Sequence, residues 1–103
     1  MKYRPAKKSD VPELVKLENS SFKTDRLSAR NFRYFIDLSH GEVLVQTNEG
    51  EISGYGILLF HRGTALARLY SIAVSSKFRG QGLGKKLLTK LEAIASEREC
   101  TYL

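Results

Sequence analysis

The stretch that decides the fold is the glycine-rich segment at positions 79–85, Arg79-Gly80-Gln81-Gly82-Leu83-Gly84-Lys85. It stands between an apolar, strand-like run and a long run with helical spacing. Glycine has no Cβ, so the backbone of such a loop can adopt unusual φ and ψ values and let a ligand approach closely. The unpaired amides and the dipole of the following helix add positive potential at the same point. The segment therefore predicts a binding site for phosphate or pyrophosphate.

Two common nucleotide-binding motifs do not fit this spacing. A Walker A loop ends in Gly-Lys-Ser/Thr, whereas Lys85 is followed by Lys86 and Leu87, so no hydroxyl is placed for magnesium. The dinucleotide fingerprint Gly-x-Gly-x-x-Gly follows the first strand of its domain. Here the glycines stand at positions 80, 82 and 84, in the last third of the chain. Neither motif explains the loop.

Length and composition indicate one small globular domain that comprises residues 1–103. The formal net charge of +6 suits an anionic ligand, and it suits contact with RNA or the ribosome equally well. The sequence has neither an apolar run long enough to span a membrane nor a signal-peptide core, so no membrane contact is expected. A single cysteine, Cys100, fits a reducing compartment, and we expect a cytoplasmic location.

The spacing of apolar residues predicts the element order β-α-α-β-β-β-α-β. The first strand covers residues 2–5, and the first helix covers residues 11–19, capped by Asp10 with Glu13 completing a capping box. Ser28 caps the second helix, which ends at His40-Gly41. The later strands are predicted at residues 43–45, 52–60, 64–74 and 101–103, and the third helix follows the glycine-rich segment.

Two local patterns carry further expectations. Glu18 is read as the polar end of the apolar face of the first helix, and Phe22 as the anchor of the linker at residues 20–26. In strand 64–74, strict alternation should place two sets of side chains on opposite faces of the sheet. The first set is Ala67, Leu69, Ser71 and Ala73, and the second is Arg68, Tyr70, Ile72 and Val74.

The segment from Arg79 to Gly84 resembles, position by position, the Arg/Gln-x-x-Gly-x-Gly/Ala pyrophosphate loop of the Gcn5-related N-acetyltransferase (GNAT) family. The strand before the loop looks like the family's fourth strand, and the element order is that of the family up to the start of its fifth. The ribosomal-protein alanine N-acetyltransferases are the branch it suggests. The resemblance implies an α+β, α/β/α-layered acyl-CoA N-acyltransferase fold with a mixed, mostly antiparallel sheet. The family's C-terminal part, with a fourth helix and two further strands, would be absent.

The resemblance also implies a site for acetyl-CoA. Its pyrophosphate would lie on the glycine loop, and a bulge in the fourth strand would free a backbone N–H for the thioester carbonyl. The same strand residues could instead form a buried strand with no free amide. No metal is expected. The cofactor-binding residues that follow from this are Ile72, Ala73, Val74, Arg79, Gly80, Gln81, Gly82, Leu83, Gly84 and Lys85.

The proton-transfer groups are harder to assign. Many relatives carry a glutamate on or near the fourth strand, and this strand has no carboxylate. Tyr70 is the candidate catalytic residue because its hydroxyl can bond a substrate or order a water, and it can equally be a half-buried tyrosine of the sheet. The family's acid, a tyrosine on the fourth helix, would fall beyond Leu103. The 103-residue chain alone is therefore expected to be a poor catalyst.

Three functions follow, in decreasing order of support. The first is an acetyl-CoA-dependent N-acetyltransferase that acts on a primary amine, with a protein N-terminus or a lysine expected ahead of a small amine. The alternative is a non-catalytic CoA-binding or partner-dependent module. A basic RNA-binding domain is weaker, because basic and aromatic residues are not interleaved. The sheet edge at residues 101–103 should be open to a second copy or a partner chain.

Overall fold

A five-stranded sheet in the order β1-β2-β3-β4-β5 forms the middle layer of the protein. In the computed structural model, residues 1–61, 65–78 and 80–102 are described. The first four strands are antiparallel, and β5 lies parallel to β4, so the sheet is mixed as predicted. The strands are β1 (Lys2–Pro5), β2 (Gly41–Asn48), β3 (Glu51–Phe60), β4 (Leu66–Val74) and β5 (Thr101–Tyr102).

Helices cover both faces of this sheet. Helices α1 (Val11–Ser21) and α2 (Ala29–Asp37) lie on one face, where Phe32 packs against Tyr55 edge-to-face with ring centroids 5.3 Å apart. Helix α3 (Leu83–Glu97) lies on the other face. None of the helices in the described part of the chain is long and apolar enough to cross a membrane. The predicted order and the three-layer α+β arrangement are confirmed.

Glycines on β3 allow α3 to approach the sheet closely. A Cβ at Gly56 would overlap the side chain of Leu91, and a Cβ at Gly54 would stand 2.9 Å from the carbonyl oxygen of Ala73. Because Leu91 is fully buried there, the middle of α3 packs almost directly on the β3 backbone.

The start of α1 differs from the prediction. Asp10 has helical φ and ψ and makes no capping bond to α1. Its carboxylate instead accepts two hydrogen bonds from Arg4, at 2.7 and 3.0 Å, and one from the Lys7 amide, at 2.8 Å. The predicted capping box with Glu13 was wrong because the carboxylate of Asp10 is bonded to the guanidinium of Arg4 on β1 instead.

The second helix agrees with the prediction at its start and differs at its end. The Ser28 hydroxyl accepts a hydrogen bond from the Asn31 amide at 3.1 Å, so the predicted cap is confirmed. The helix stops at Asp37, and Gly41 opens β2 rather than ending the helix. In the segment between α1 and α2, Leu27 is buried and Phe22 is 36% exposed, so Phe22 is not the anchor.

Candidate functional site

The glycine-rich loop leads directly into the N-terminus of α3. Gly80 and Gly82 have φ values of +83° and +68°, a region that L side chains rarely adopt, and Gly82 is the N-cap. Among the described residues, no side chain caps the helix. The Lys86 amide makes an intrahelical bond to the Gly82 carbonyl at 3.1 Å. The N–H groups of residues 83–85 precede this bond and are the donors that a helix start leaves for a ligand.

The glycines of the loop have two different roles. A Cβ at Gly80 or Gly82 would meet nothing within 4 Å, so these positions require glycine for their φ values and lie open to a ligand. A Cβ at Gly84 would make an ordinary 3.6 Å contact with Val74, and Gly84 already belongs to the helix. The unusual φ and ψ expected at all three glycines are therefore present at two. Arg79, the first predicted loop residue, lies outside the described residues.

The charge at this helix start favours an anion. The first turn of α3 contains no acidic residue, and Lys85 and Lys86 are exposed there. Cations at a helix N-terminus oppose the dipole by a few tenths of a kcal/mol or more when no anion is present. The same cations and the same dipole both attract a phosphate group. The residues present therefore fit a pyrophosphate.

Strand β4 contains a bulge. Ile57 pairs with Ser71 and Leu58 pairs with Leu69, so Tyr70 is the extra residue on β4. The bulge lies two residues before the segment on which it was predicted, because Ile72, Ala73 and Val74 each pair with β3.

The bulge also overturns the predicted alternation of side chains along β4. The residues that face α3 are Ala67, Leu69, Ile72 and Val74. Ser71 and Ala73 lie instead on the face of α1 and α2, because the extra residue at the bulge exchanges the two faces after position 70. Tyr70 lies on that face too, against the ring of Phe35. The hydroxyl-bearing side chains of β4, Tyr70 and Ser71, thus lie on the same face of the sheet.

Beyond the bulge, two β4 amides point away from β3. The Ser75 amide bonds to the Ser53 carbonyl on β3 at 2.8 Å, so alternation directs the Ala73 amide toward β3 as well. The amides of Ile72 and Val74 then point the other way. Within the described residues, β5 pairs with β4 only at Leu66 and Ala67.

Tyr70 stands at the rim of a small recess of about 230 Å³ on the α1 and α2 face. Its side chain is 42% exposed, and its ring centroid lies 4.8 Å from that of Phe35. The recess is also lined by Glu18, Asp25 and Ser71. Aromatic walls and carboxylates in one recess suit a cation.

A chain of hydrogen bonds leads from this recess into the core. The Tyr55 hydroxyl donates to Glu18, and it lies 3.1 Å from the Ser71 hydroxyl. Burial, together with the hydrogen bond to Glu18, raises the pKa of Tyr55 well above its ordinary value, so the phenol stays protonated. Since its one proton goes to Glu18, Ser71 must be the donor to Tyr55. The lone pairs of Ser71 are then left to accept a hydrogen bond from the recess.

Glu18 is the site residue that the sequence did not reveal. It is only 2% exposed, and its second oxygen accepts a 2.8 Å hydrogen bond from the Leu27 amide. It was read as the polar end of a helix face, and that reading was wrong. The available signal was its spacing: Glu18 stands four residues after Leu14, on the buried side of α1.

A wider groove of about 470 Å³ lies between α1 and the ends of β3 and β4. Within it, Lys77 forms an ion pair with Glu51 at 2.8 Å, and both side chains are more than half exposed. The two charges neutralise each other. The groove is therefore a less specific candidate binding site than the recess beside Tyr70.

Comparison with known proteins gives relatives of one fold. The chain is 26% identical over 99 residues to thialysine N-epsilon-acetyltransferase from Bos taurus, covering 90% of this chain and 56% of that protein. The ribosomal-protein-S18-alanine N-acetyltransferase from Escherichia coli superposes with a TM-score of 0.82 at 22% identity, over 94% of this chain and 60% of that one. Rv2747 from Mycobacterium tuberculosis, solved in complex with CoA and NLQ, gives a TM-score of 0.82 at 20% identity, over 97% and 60%.

The chain thus spans a little under two thirds of the length of each of these relatives. The two solved structures establish the fold and nothing finer, because their identity to this chain is low. A family model settles the relationship, since the acetyltransferase (GNAT) family matches residues 11–103, nearly the whole chain. This chain belongs to the acetyltransferase (GNAT) family.

Proposed function

We propose that this protein binds acetyl-CoA and takes part in the transfer of its acetyl group to a primary amine. The observation that carries the proposal is the glycine loop, whose positive-φ residues Gly80 and Gly82 lead into the N-terminus of α3, where no described side chain caps the amides of the first turn. The match to the acetyltransferase family and the CoA complex of one structural relative support it. When bound, acetyl-CoA would supply an activated acyl thioester.

The loop residues would hold the pyrophosphate, with the N–H groups of Gly82, Leu83, Gly84 and Lys85 as donors. Gly80 and Gln81 would shape the approach, and Arg79 remains a further contact predicted from the sequence. Ile72 and Val74 offer amides at the edge of β4 for the thioester carbonyl, and such an amide contributes about 3 kcal/mol when charge develops on that oxygen. Ala73, whose amide faces β3, would contribute packing.

The acceptor amine would lie in the recess beside Tyr70. The hydrogen-bond chain from Ser71 through Tyr55 to Glu18 directs its protons inward, so an ammonium can donate to Ser71. Asp25 and Glu18 add negative charge, and the Tyr70 ring provides a face for the cation. Tyr70 would orient the amine through its ring and hydroxyl.

The acceptor class is proposed as a protein N-terminus or a lysine side chain. Two relatives support this range, since one is named for an alanine of a ribosomal protein and the other for the ε-amine of thialysine. The alternative is a non-catalytic CoA-binding module that depends on a partner. It is favoured by the absence of a carboxylate among the β4 side chains and by the full engagement of both Glu18 oxygens.

A titration with CoA and with acetyl-CoA, followed by amide NMR shifts, tests the cofactor half of the proposal. The largest shifts are expected at residues 82–85 and at Ile72 and Val74. Shifts confined to the groove near Lys77 would contradict the assignment. A thiol-release assay with peptides, free lysine and polyamines then separates an enzyme from a binding module.

The recess is tested with Ser71→Ala, using Ser96→Ala on the exposed side of α3 as the control. Ser71→Ala should weaken the binding of an amine such as lysine methyl ester and leave CoA affinity unchanged. Equal loss for both ligands would show that Ser71 serves the fold and not the acceptor.

A further inference from the structure

One buried polar side chain connects the sheet to the start of α3. Gln46, on β2, has no exposed surface. Its Nε2 donates to the carbonyl oxygen of Leu83 at 3.1 Å and to the hydroxyl of Tyr3 at 3.2 Å. Its Oε1 accepts from the Ser53 hydroxyl at 2.9 Å. Both amide protons and the amide oxygen are therefore bonded, each to a different element of the fold.

The sheet is shaped to hold this amide. Gln46 pairs with Gly54 and Thr47 pairs with Ile52, so Ser53 is an extra residue on β3 at this point. The bulge brings the Ser53 hydroxyl to the Gln46 side chain. A Cβ at Gly54 would stand 3.3 Å from Oε1 of Gln46 and 3.3 Å from Leu87. Because Gly54 has no side chain, the Gln46 side chain has space to reach helix α3.

The bond to Leu83 has a consequence for the loop. Leu83 is the first residue of α3, and its own N–H is among the donors of the proposed pyrophosphate site. The described side chains give the helix start no cap, so its N–H groups stay available, while Gln46 is bonded to the carbonyl of the first residue. An apolar residue at position 46 could fill the same space, but it could not fix the rotation and height of the first helical turn. Burying an amide is costly unless it is bonded, so the bonds define one orientation.

We propose that Gln46 is a positioning residue that holds the first turn of α3 so that its amides converge on the pyrophosphate of CoA. The inference rests on the proposed CoA site and adds a residue of the sheet interior to it. Gln46 does not touch the cofactor. It acts through the carbonyl of Leu83.

The test uses the full chain with Gln46→Met, which keeps the volume of the side chain and removes its donors. The affinity for CoA should fall about tenfold, the value of one buried hydrogen bond. The affinity for pantetheine, which ends before the pyrophosphate, should stay within about twofold. An unchanged CoA affinity, or an equal loss for the two ligands, would overturn the proposal, because a merely structural residue would weaken both.

Tyr3→Phe is the matched control. It removes another partner of Gln46 and leaves the bond to Leu83, so CoA affinity should hardly change. If Gln46→Met does not fold, Ser53→Ala serves in its place, since it frees the amide to rotate. Ser53→Ala should lower the affinity for CoA by a smaller factor than Gln46→Met does, and it should leave the affinity for pantetheine unchanged. An unchanged CoA affinity in Ser53→Ala would count against the proposal.

A second measurement needs no ligand. In the free protein, Gln46→Met should speed amide hydrogen exchange at Lys86 and Leu87 while Ala95, at the far end of α3, keeps the wild-type rate. Uniform exchange along the helix would contradict the anchoring role. Failure of the wild-type chain to bind CoA would instead refute the proposed function, whereas the exchange pattern would still decide whether Gln46 anchors the helix.

Discussion

The carboxylate of Glu18 on α1 accepts a hydrogen bond from the hydroxyl of Tyr55 on β3, and both side chains are almost entirely buried. This bond joins a helix to the sheet across 37 residues of chain. The Leu27 amide donates a hydrogen bond to the second oxygen of this carboxylate, so Glu18 also binds the segment between α1 and α2. The walls of the recess beside Tyr70 are therefore fixed by one buried acid.

Removal of the Tyr55 hydroxyl should destabilise the protein. Tyr55→Phe keeps the ring and its packing on Phe32, but it leaves one buried oxygen of Glu18 without its donor. The expected loss is about 1–3 kcal/mol in the free energy of unfolding, measured by urea denaturation at pH 7. Tyr34→Phe is the control, because Tyr34 is 59% exposed and should change little. Equal values for the two variants would mean that the Glu18 bond adds no stability.

The main elements of the fold follow from apolar periodicity and turn residues. The turn at Glu49 and Gly50, for example, has positive φ at both residues, as an Asn-Glu-Gly sequence between two strands indicates. Periodicity fails where one residue is inserted. The bulge at Tyr70 has no sequence signature, because it arises from the pairing of two strands and not from either strand alone. Every side-chain assignment after that point on β4 is reversed by it.

The residues of the candidate site likewise divide into those that the sequence predicts and those that it does not. The loop from Gly80 to Lys85 could be predicted because helix starts and glycines act locally. Glu18 and Gln46 could not, since each has a partner 37 residues away in the chain, Tyr55 for Glu18 and Leu83 for Gln46. A polar residue on a buried stripe is visible in the sequence, but the partner that satisfies it appears only when the layers are packed together.

Close packing between β3 and α3 gives a second prediction. Gly56→Ala places a Cβ against Leu91 and should cost about 1–3 kcal/mol of stability through overpacking. Leu91→Ala alone should cost about 2–5 kcal/mol, because it leaves a cavity. The double variant should lose less than the sum, since each change relieves the other. Strict additivity in unfolding free energies would show that the two residues do not meet.

The pair of Asp10 and Arg4 predicts how stability depends on pH. The Arg4 hydrogen bonds, and to a lesser extent the Lys7 amide, hold the pKa of the Asp10 carboxyl below its ordinary value. A carboxyl with a lowered folded-state pKa stabilises the fold fully above its unfolded pKa of about 4, and this stability is lost as the pH falls below that value. Asp10→Asn should therefore cost about 1–2 kcal/mol at pH 7 and progressively less in acid.

Asp37→Asn is the control for that experiment. Asp37 pairs with Lys8 at 3.1 Å, but both side chains are about 60% exposed, so the change should be close to neutral at every pH. Urea denaturation at pH 7, 5 and 3 gives the comparison. A constant difference between Asp10→Asn and wild type across this range would contradict the role given to Asp10.

The glycine loop gives the last prediction, in which backbone strain is separated from ligand contact. Gly82→Val forces a β-branched residue into φ near +68° and should cost about 1–2 kcal/mol of stability. Gly50→Val imposes the same kind of strain at φ +82°, in the β2–β3 turn, with open space around the new side chain in both cases. Both variants should melt a few degrees below wild type. Only Gly82→Val should lose CoA binding in calorimetry, because its side chain and altered backbone displace the amides at the start of α3. Retained CoA affinity in a folded Gly82→Val protein would place the cofactor somewhere other than this loop.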